Sequence, residues 1–132
     1  MKNNQIDFAA LALRIALGVM FVAHGLTKLF VFTPAGTAAY FALLGLPAIV
    51  AYGTIAFEII GGAFLIFGLF TRIIALLTVI QMIVIALVHS ANGWSFGNPG
   101  GGWEYPAFMA LTALALFFIG AGKFSVCGLR NR

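Results

Sequence analysis

LRIALGVMFVAHGLTKLF, residues 13–30, is greasy enough for lipid yet carries Arg14, His24 and Lys28. Read as a helix at 100° per residue with Arg14 at zero, Lys28 falls at about −40° and His24 at about −80°, with Gly25 at about +20° and Gly18 at about +40°. One face thus holds all three ionisable residues and both glycines of the stretch. A helix of this kind shelters its cations against other helices and turns its apolar side to hydrocarbon, where a charge would cost about 2.5–3.5 kcal/mol on insertion scales. This stretch therefore predicts a membrane span that belongs to a bundle. It is expected to be a retained span rather than a cleaved secretory signal, because it contains Arg14 and runs past Ala23 without a clear cleavage site.

The rest of the chain agrees. Of 132 residues, 63% are hydrophobic and 8% charged, with a mean hydropathy of +1.11; polar groups could not cover that much apolar surface in water. The formal charge of +4 rests on seven Lys and Arg against Asp7, Glu58 and Glu104. No basic cluster is dense enough to track phosphates, so a nucleic-acid partner is not expected. Cys127 is the only cysteine, which excludes an internal disulfide, a CxxC pair or a multi-cysteine metal site, and no metal site is expected. It sits in a basic tail, where it is incidental or a site of lipidation.

Apolar runs at roughly 8–32, 48–70, 73–91 and 106–120 predict an all-α, integral membrane four-helix bundle, a single domain over 1–132. The fourth run is the shortest. GLFTR (68–72) reads as a tight turn with Thr71 as N-cap, making the second and third spans an antiparallel hairpin. Thr33 and Pro34 read as the N-cap and first position of a short interfacial helix between spans one and two, ending near Gly45 before Pro47. Lys2, Arg72, Lys123, Arg130 and Arg132 fall on one side of four spans, so both termini are expected to be cytoplasmic. NGWSFGNPGGGWEYP (92–106) becomes an outward loop whose Trp94, Trp103 and Tyr105 suit the aromatic belt.

Span two gathers Thr54, Glu58, Gly61 and Gly62 on one face, and span three gathers Thr78, Gln81 and His89. Counted from span centres, Glu58 and Gln81 lie near the midplane and Arg14 about 7 Å toward the cytoplasm, which predicts an Arg14–Glu58 ion pair within a polar core that includes Gln81. An outer layer of His24, Lys28 and His89, with Glu104 and Trp103 from the loop, forms a candidate ligand pocket opening outward. Each residue also has a plainer explanation. Arg14 and Glu58 would lock helices together. Lys28 would snorkel to headgroups, and Glu104 would complement a helix dipole. Trp103 would anchor the loop, Gln81 and Thr78 would pack helices, and Gly100 to Gly102 would form a flexible turn.

Four pieces, LRIALGVMFVAHGLTKLF (13–30), AAYFALLGLP (38–47), EIIGGAFLIFGLFTRIIAL (58–76) and GGGWEYP (100–106), together resemble the DoxX family of small four-span bacterial membrane proteins. The tail GAGKFSVCG departs from the GPG and Ser-x-Asp ending of such proteins, with Cys127 standing where an acid is common. The resemblance implies a bacterial inner-membrane protein of a family linked in places to quinone-dependent oxidoreductases and redox-stress complexes. A quinone site needs hydrogen-bond donors for two carbonyl oxygens, a proton-exchanging group and an apolar slot; His24, Lys28 and His89 supply the first two, with Glu104 as outward proton contact. The chain has no flavin motif, cysteine cluster or thiol pair with which to hold electrons. The expected role is therefore an accessory or quinone-interacting subunit whose soluble or peripheral partner brings the electron source. A binder or transporter of small molecules, a structural or assembly protein, and a b-haem protein ligated by His24 and His89 stay open as alternatives. Whether the chain is catalytic, and its oligomeric state, are open at this level.

Overall fold

The computed structural model describes residues 2–130, with the side chains of Lys2 and Arg130 outside that description; Arg132, counted among the terminal cations, also lies outside the described residues. Helix α1 spans Lys2–Leu26 and runs on through a π-helical turn, Thr27–Val31. It is followed by α2 (Pro34–Leu43), α3 (Ala48–Phe67), α4 (Thr71–Val88), α5 (Glu104–Ile119) and a short α6 (Val126–Arg130). The run Asn3–Val31 and helices α3 and α4 are each long and apolar enough to cross a membrane. At 16 residues, α5 is shorter, reaching about 24 Å at 1.5 Å per residue against a hydrocarbon core of about 30 Å.

Helix is the form these runs adopt because a backbone in lipid must satisfy its own hydrogen bonds. Their ends are set by particular residues. Thr33 caps α2 by accepting from the Gly36 amide at 3.2 Å, and Pro34 occupies the first turn, as the sequence leads one to expect. At the other end of α3, Gly68 adopts φ 74°, a left-handed C-cap that releases the chain toward α4. Thr71 is not the N-cap anticipated for α4; it is the first helical residue, Phe70 holds the cap position without a side-chain bond, and the buried Thr71 hydroxyl has no hydrogen-bond partner among the described residues.

Helices α1, α3, α4 and α5 run alternately up and down. The start of α1 and the short α6 lie at one end, called here the terminal end; α2 and the 93–103 segment lie at the other, the loop end. Leu17 and Phe21 of α1 meet Leu65 of α3, Ala75 and Met82 of α4, and Met109, Ala113 and Leu116 of α5 in a common core. Residues such as Ile49, Ile60, Ile73, Ile80, Phe108 and Phe118 face outward as an apolar belt.

Packing inside the bundle is uneven. Helix α1 lies mainly against α3, and α4 mainly against α5. The anticipated α3–α4 hairpin is antiparallel but splayed, because the small face of α3 is used on α1 instead. A Cβ on Gly62 would sit 2.8 Å from the Gly18 carbonyl oxygen, and one on Gly18 would sit 2.7 Å from the Gly62 oxygen. Two backbones are thus in direct contact, which only glycine allows. Gly25 extends this seam, facing Glu58 and Ile59.

Candidate functional site

The register of the α1–α3 seam decides where each buried charge goes. Gly18 lies opposite Gly62 and Ile66, so Arg14, one turn below Gly18, reaches the C-terminal end of α3 and not its middle. Its guanidinium donates to the Ile66 carbonyl at 3.1 Å and to the Phe124 carbonyl at 2.7 Å. It is 0% exposed. Carbonyls in the last turn of a helix lack intrahelical partners and sit at the negative end of its dipole, so they suit a cation. The expected Arg14–Glu58 ion pair therefore does not form.

Glu58 instead meets Lys28. Gly25 faces Glu58 across the seam, and Lys28, almost one turn further along α1, places its ammonium 2.8 Å from Oε2 and 3.1 Å from Oε1. Gln81 of α4 donates to Oε1 at 2.8 Å. Glu58 is 2% exposed and Lys28 19%, so the carboxylate is buried and the ammonium borders open space. Two opposite charges and an amide tie α1, α3 and α4 at mid-height, a neutral cluster that a low-dielectric interior tolerates.

That open space is a cavity of about 480 Å³ toward the loop end, within the range of small-molecule sites. His24, Lys28, Glu58, Gln81 and His89 all line it, together with Thr54 and Tyr105. The two layers expected from sequence are thus one site, since Glu58 and Gln81 form its floor beside Lys28. Apolar walls come from Phe21, Phe41, Met82, Ile85 and Met109. Phe41 brings α2 into the wall, so the interfacial helix helps cover the cavity.

Two histidines enter it differently. His89 Nδ1 lies 2.8 Å from the Ile85 carbonyl; a carbonyl only accepts, so Nδ1 carries the hydrogen and Nε2 of the neutral ring is an acceptor. His24 Nε2 shares a hydrogen bond of 3.0 Å with the Tyr105 hydroxyl, and the two rings stack at 5.9 Å with 27° between planes. Sequence reading assigned Tyr105 to the aromatic belt alone. Its neighbour Glu104 and the aligned height of His24 were the available signals, and they could not give the ring's direction.

The other two loop residues proposed for the pocket stand outside this cavity. Glu104 accepts from the Phe96 amide at 3.1 Å and lines a second, shallower recess with Met20, His24, Trp94, Tyr105 and Phe108. Trp103 packs edge-on against Trp94 at 4.7 Å. Both fasten the loop, which is held by further bonds: Asn92 Nδ2 to the Gly101 carbonyl at 2.8 Å, Asn98 Nδ2 to the Asn92 carbonyl at 3.0 Å and the Trp103 amide to the Gly93 carbonyl at 3.1 Å. Gly100 and Gly101 belong to this hydrogen-bonded cover and line the cavity.

At the terminal end Lys123 approaches Asp7 at 3.7 Å, and the Asp7 carboxylate accepts from the Lys123 amide at 2.8 Å. Arg72 lies beside Gly120. The described cations outside the core thus do gather at one end.

Comparison with known proteins gives a family and two relatives. The DoxX family model matches residues 9–91. A Bacillus subtilis (strain 168) protein named "Putative oxidoreductase CatD" is 32% identical over 119 residues, covering 90% of this chain and 84% of that protein. An "Uncharacterized protein" of Haemophilus influenzae is 34% identical over 122 residues, covering 91% of this chain and 87% of its own. No solved structure matches. With more than half of its length matched by the family model and a relative of that identity along most of its length, the chain belongs to the DoxX family.

Proposed function

We propose that this protein is a quinone-binding accessory subunit of a membrane-associated oxidoreductase, set in the bacterial inner membrane with both termini cytoplasmic. The observation that carries the reading is the single cavity in which Lys28, Glu58, Gln81, His89 and the His24–Tyr105 pair border an otherwise apolar slot. A quinone carbonyl only accepts hydrogen bonds, and the donor inventory fits it. Lys28 has three N–H groups and spends two on Glu58; Gln81 spends one of its two on the same carboxylate; Tyr105 offers a hydroxyl. His89 Nε2, free of the Ile85 bond made by Nδ1, takes up or returns a proton at the cavity wall. Glu58 holds the Lys28 ammonium in place and balances its charge. The apolar walls exclude water from the ring.

When bound, a quinone supplies a two-electron, two-proton acceptor. The electrons come from a soluble or peripheral redox partner, and the name borne by the Bacillus subtilis relative is consistent with membership of such a system. Mass spectrometry of quinones retained after gentle purification tests the site. Wild type is expected to retain a quinone that the His24→Ala, Lys28→Ala double variant loses; identical profiles would count against the reading. The orientation has its own probe, because Cys127 is the only cysteine and is exposed. A membrane-impermeant maleimide is expected to label it only after the cells are opened.

A further inference from the structure

The cavity and the shallower recess beside it have three lining residues in common, His24, Phe96 and Tyr105. The two hollows therefore adjoin at a layer formed by these three residues. On the cavity side that layer faces the charged floor of Lys28 and Glu58. On the far side it faces Met20 of α1 and Phe108 of α5, with Trp94 and Glu104 at the loop-end rim; Met20 and Phe108 lie on the outer surface of the bundle and within helices read as spans. The recess is thus a slot between α1 and α5 that looks onto hydrocarbon, while the cavity is a polar-floored chamber behind it.

Side chains of these three residues meet at the divide. The His24–Tyr105 hydrogen bond of 3.0 Å and the Phe96–Tyr105 ring contact at 5.9 Å are the fastenings, and aromatic and imidazole rings swing on χ1 and χ2 without moving the backbone. A net hydrogen bond of this kind is modest in strength, so a ligand that fills both hollows readily replaces it.

We propose that the recess is the subsite for the isoprenoid tail of the ligand, and that His24, Phe96 and Tyr105 form the partition across which ring and tail are divided. This rests on the quinone reading of the cavity and adds the direction of entry: laterally from lipid between α1 and α5, not through the hydrogen-bonded loop above. The polar ring lies over Lys28 and Gln81, and the tail leaves past Met20 and Phe108 to rejoin the acyl chains. Burial of apolar chain in the recess then sets how strongly the tail contributes to binding.

The test compares two probes on purified protein in detergent: a benzoquinone bearing two isoprenyl units, and the same ring with a methyl group in place of the tail. Met20→Trp and, on the facing wall, Phe108→Trp fill the recess from residues already turned to lipid. Each is expected to weaken the tailed probe by about tenfold, the burial of roughly two methylenes, while leaving the tail-less ring unchanged. Unchanged binding of that ring also reports that the variants are folded. If both variants leave the tailed probe untouched, or weaken both probes equally while melting as wild type does, the tail subsite is wrong and the cavity reading stands. If wild type binds neither probe, the cavity reading itself fails and the subsite falls with it.

Discussion

The protein carries two inward-facing cations on one continuous helical run, fourteen residues apart in sequence, and treats them in opposite ways. Arg14 is completely enclosed and donates only to main-chain carbonyls, one closing α3 and one from the C-terminal segment. Lys28 stands at the edge of a cavity and shares a carboxylate with a glutamine. The guanidinium has several donors fixed in a plane and bridges two carbonyls at once, so it works as a strut. The ammonium is a compact charge on a flexible stem, with a donor left over, a form suited to meeting a ligand. Of the two, Arg14 is closed in on every side and Lys28 opens on a cavity.

Arg14→Ala should show the contrast most strongly. Two main-chain carbonyls lose their donor and a large, fully enclosed side chain leaves a void, so a loss of about 3–5 kcal/mol is expected, read as lower membrane abundance and a lower melting temperature in detergent. The quinone retained per folded molecule should not change. An Arg14→Ala protein as abundant and stable as wild type would break the comparison.

Gly62→Ala comes next. It drives a methyl group against the Gly18 carbonyl across the α1–α3 seam, and overpacking of that kind costs about 1–3 kcal/mol. Because the seam sets the height of Lys28 against Glu58, this variant should lose stability and ligand retention together, whereas Arg14→Ala loses stability alone.

The smallest effect is the sharpest. A double-mutant cycle on Lys28→Ala and Glu58→Ala should return a coupling of about 0.5–3 kcal/mol, as touching charged groups do, while the cycle on Arg14→Ala and Glu58→Ala should return less than about 0.5 kcal/mol. Equal couplings would mean that the two cations are not partitioned as the contacts indicate.

Much of this was legible from sequence, because each legible feature is local to one segment. The spans follow from apolar runs, the start of α2 from Thr33 and Pro34, and the inward stripe of α1 from the 100° spacing of Arg14, Gly18, His24, Gly25 and Lys28. The partner of Glu58 was not legible. It depends on how far α1 slides along α3, and that register is fixed by the contact of Gly18 with Gly62, a property of two helices that neither sequence stretch contains. Counting depth from span centres put Arg14 within a side chain's reach of Glu58, when the seam sets Lys28 there. The π-helical turn at Thr27–Val31 escaped for a similar reason, since nothing in TKLFV departs from an ordinary helix. Tyr105 and Trp103 were equivalent as interfacial aromatics; only the fold turns one toward His24 and the other toward Trp94.

The bond from Arg14 to the Phe124 carbonyl has a consequence for how the protein is made. The two residues are 110 positions apart, so a ribosome delivers the cation to the bilayer long before it delivers the oxygen that receives it. Until then the first helix carries an incompletely solvated charge. Nascent chains stalled before residue 124 keep that debt, and a membrane protease that recognises exposed charge would find the fault in the oldest segment when the error lay in the youngest.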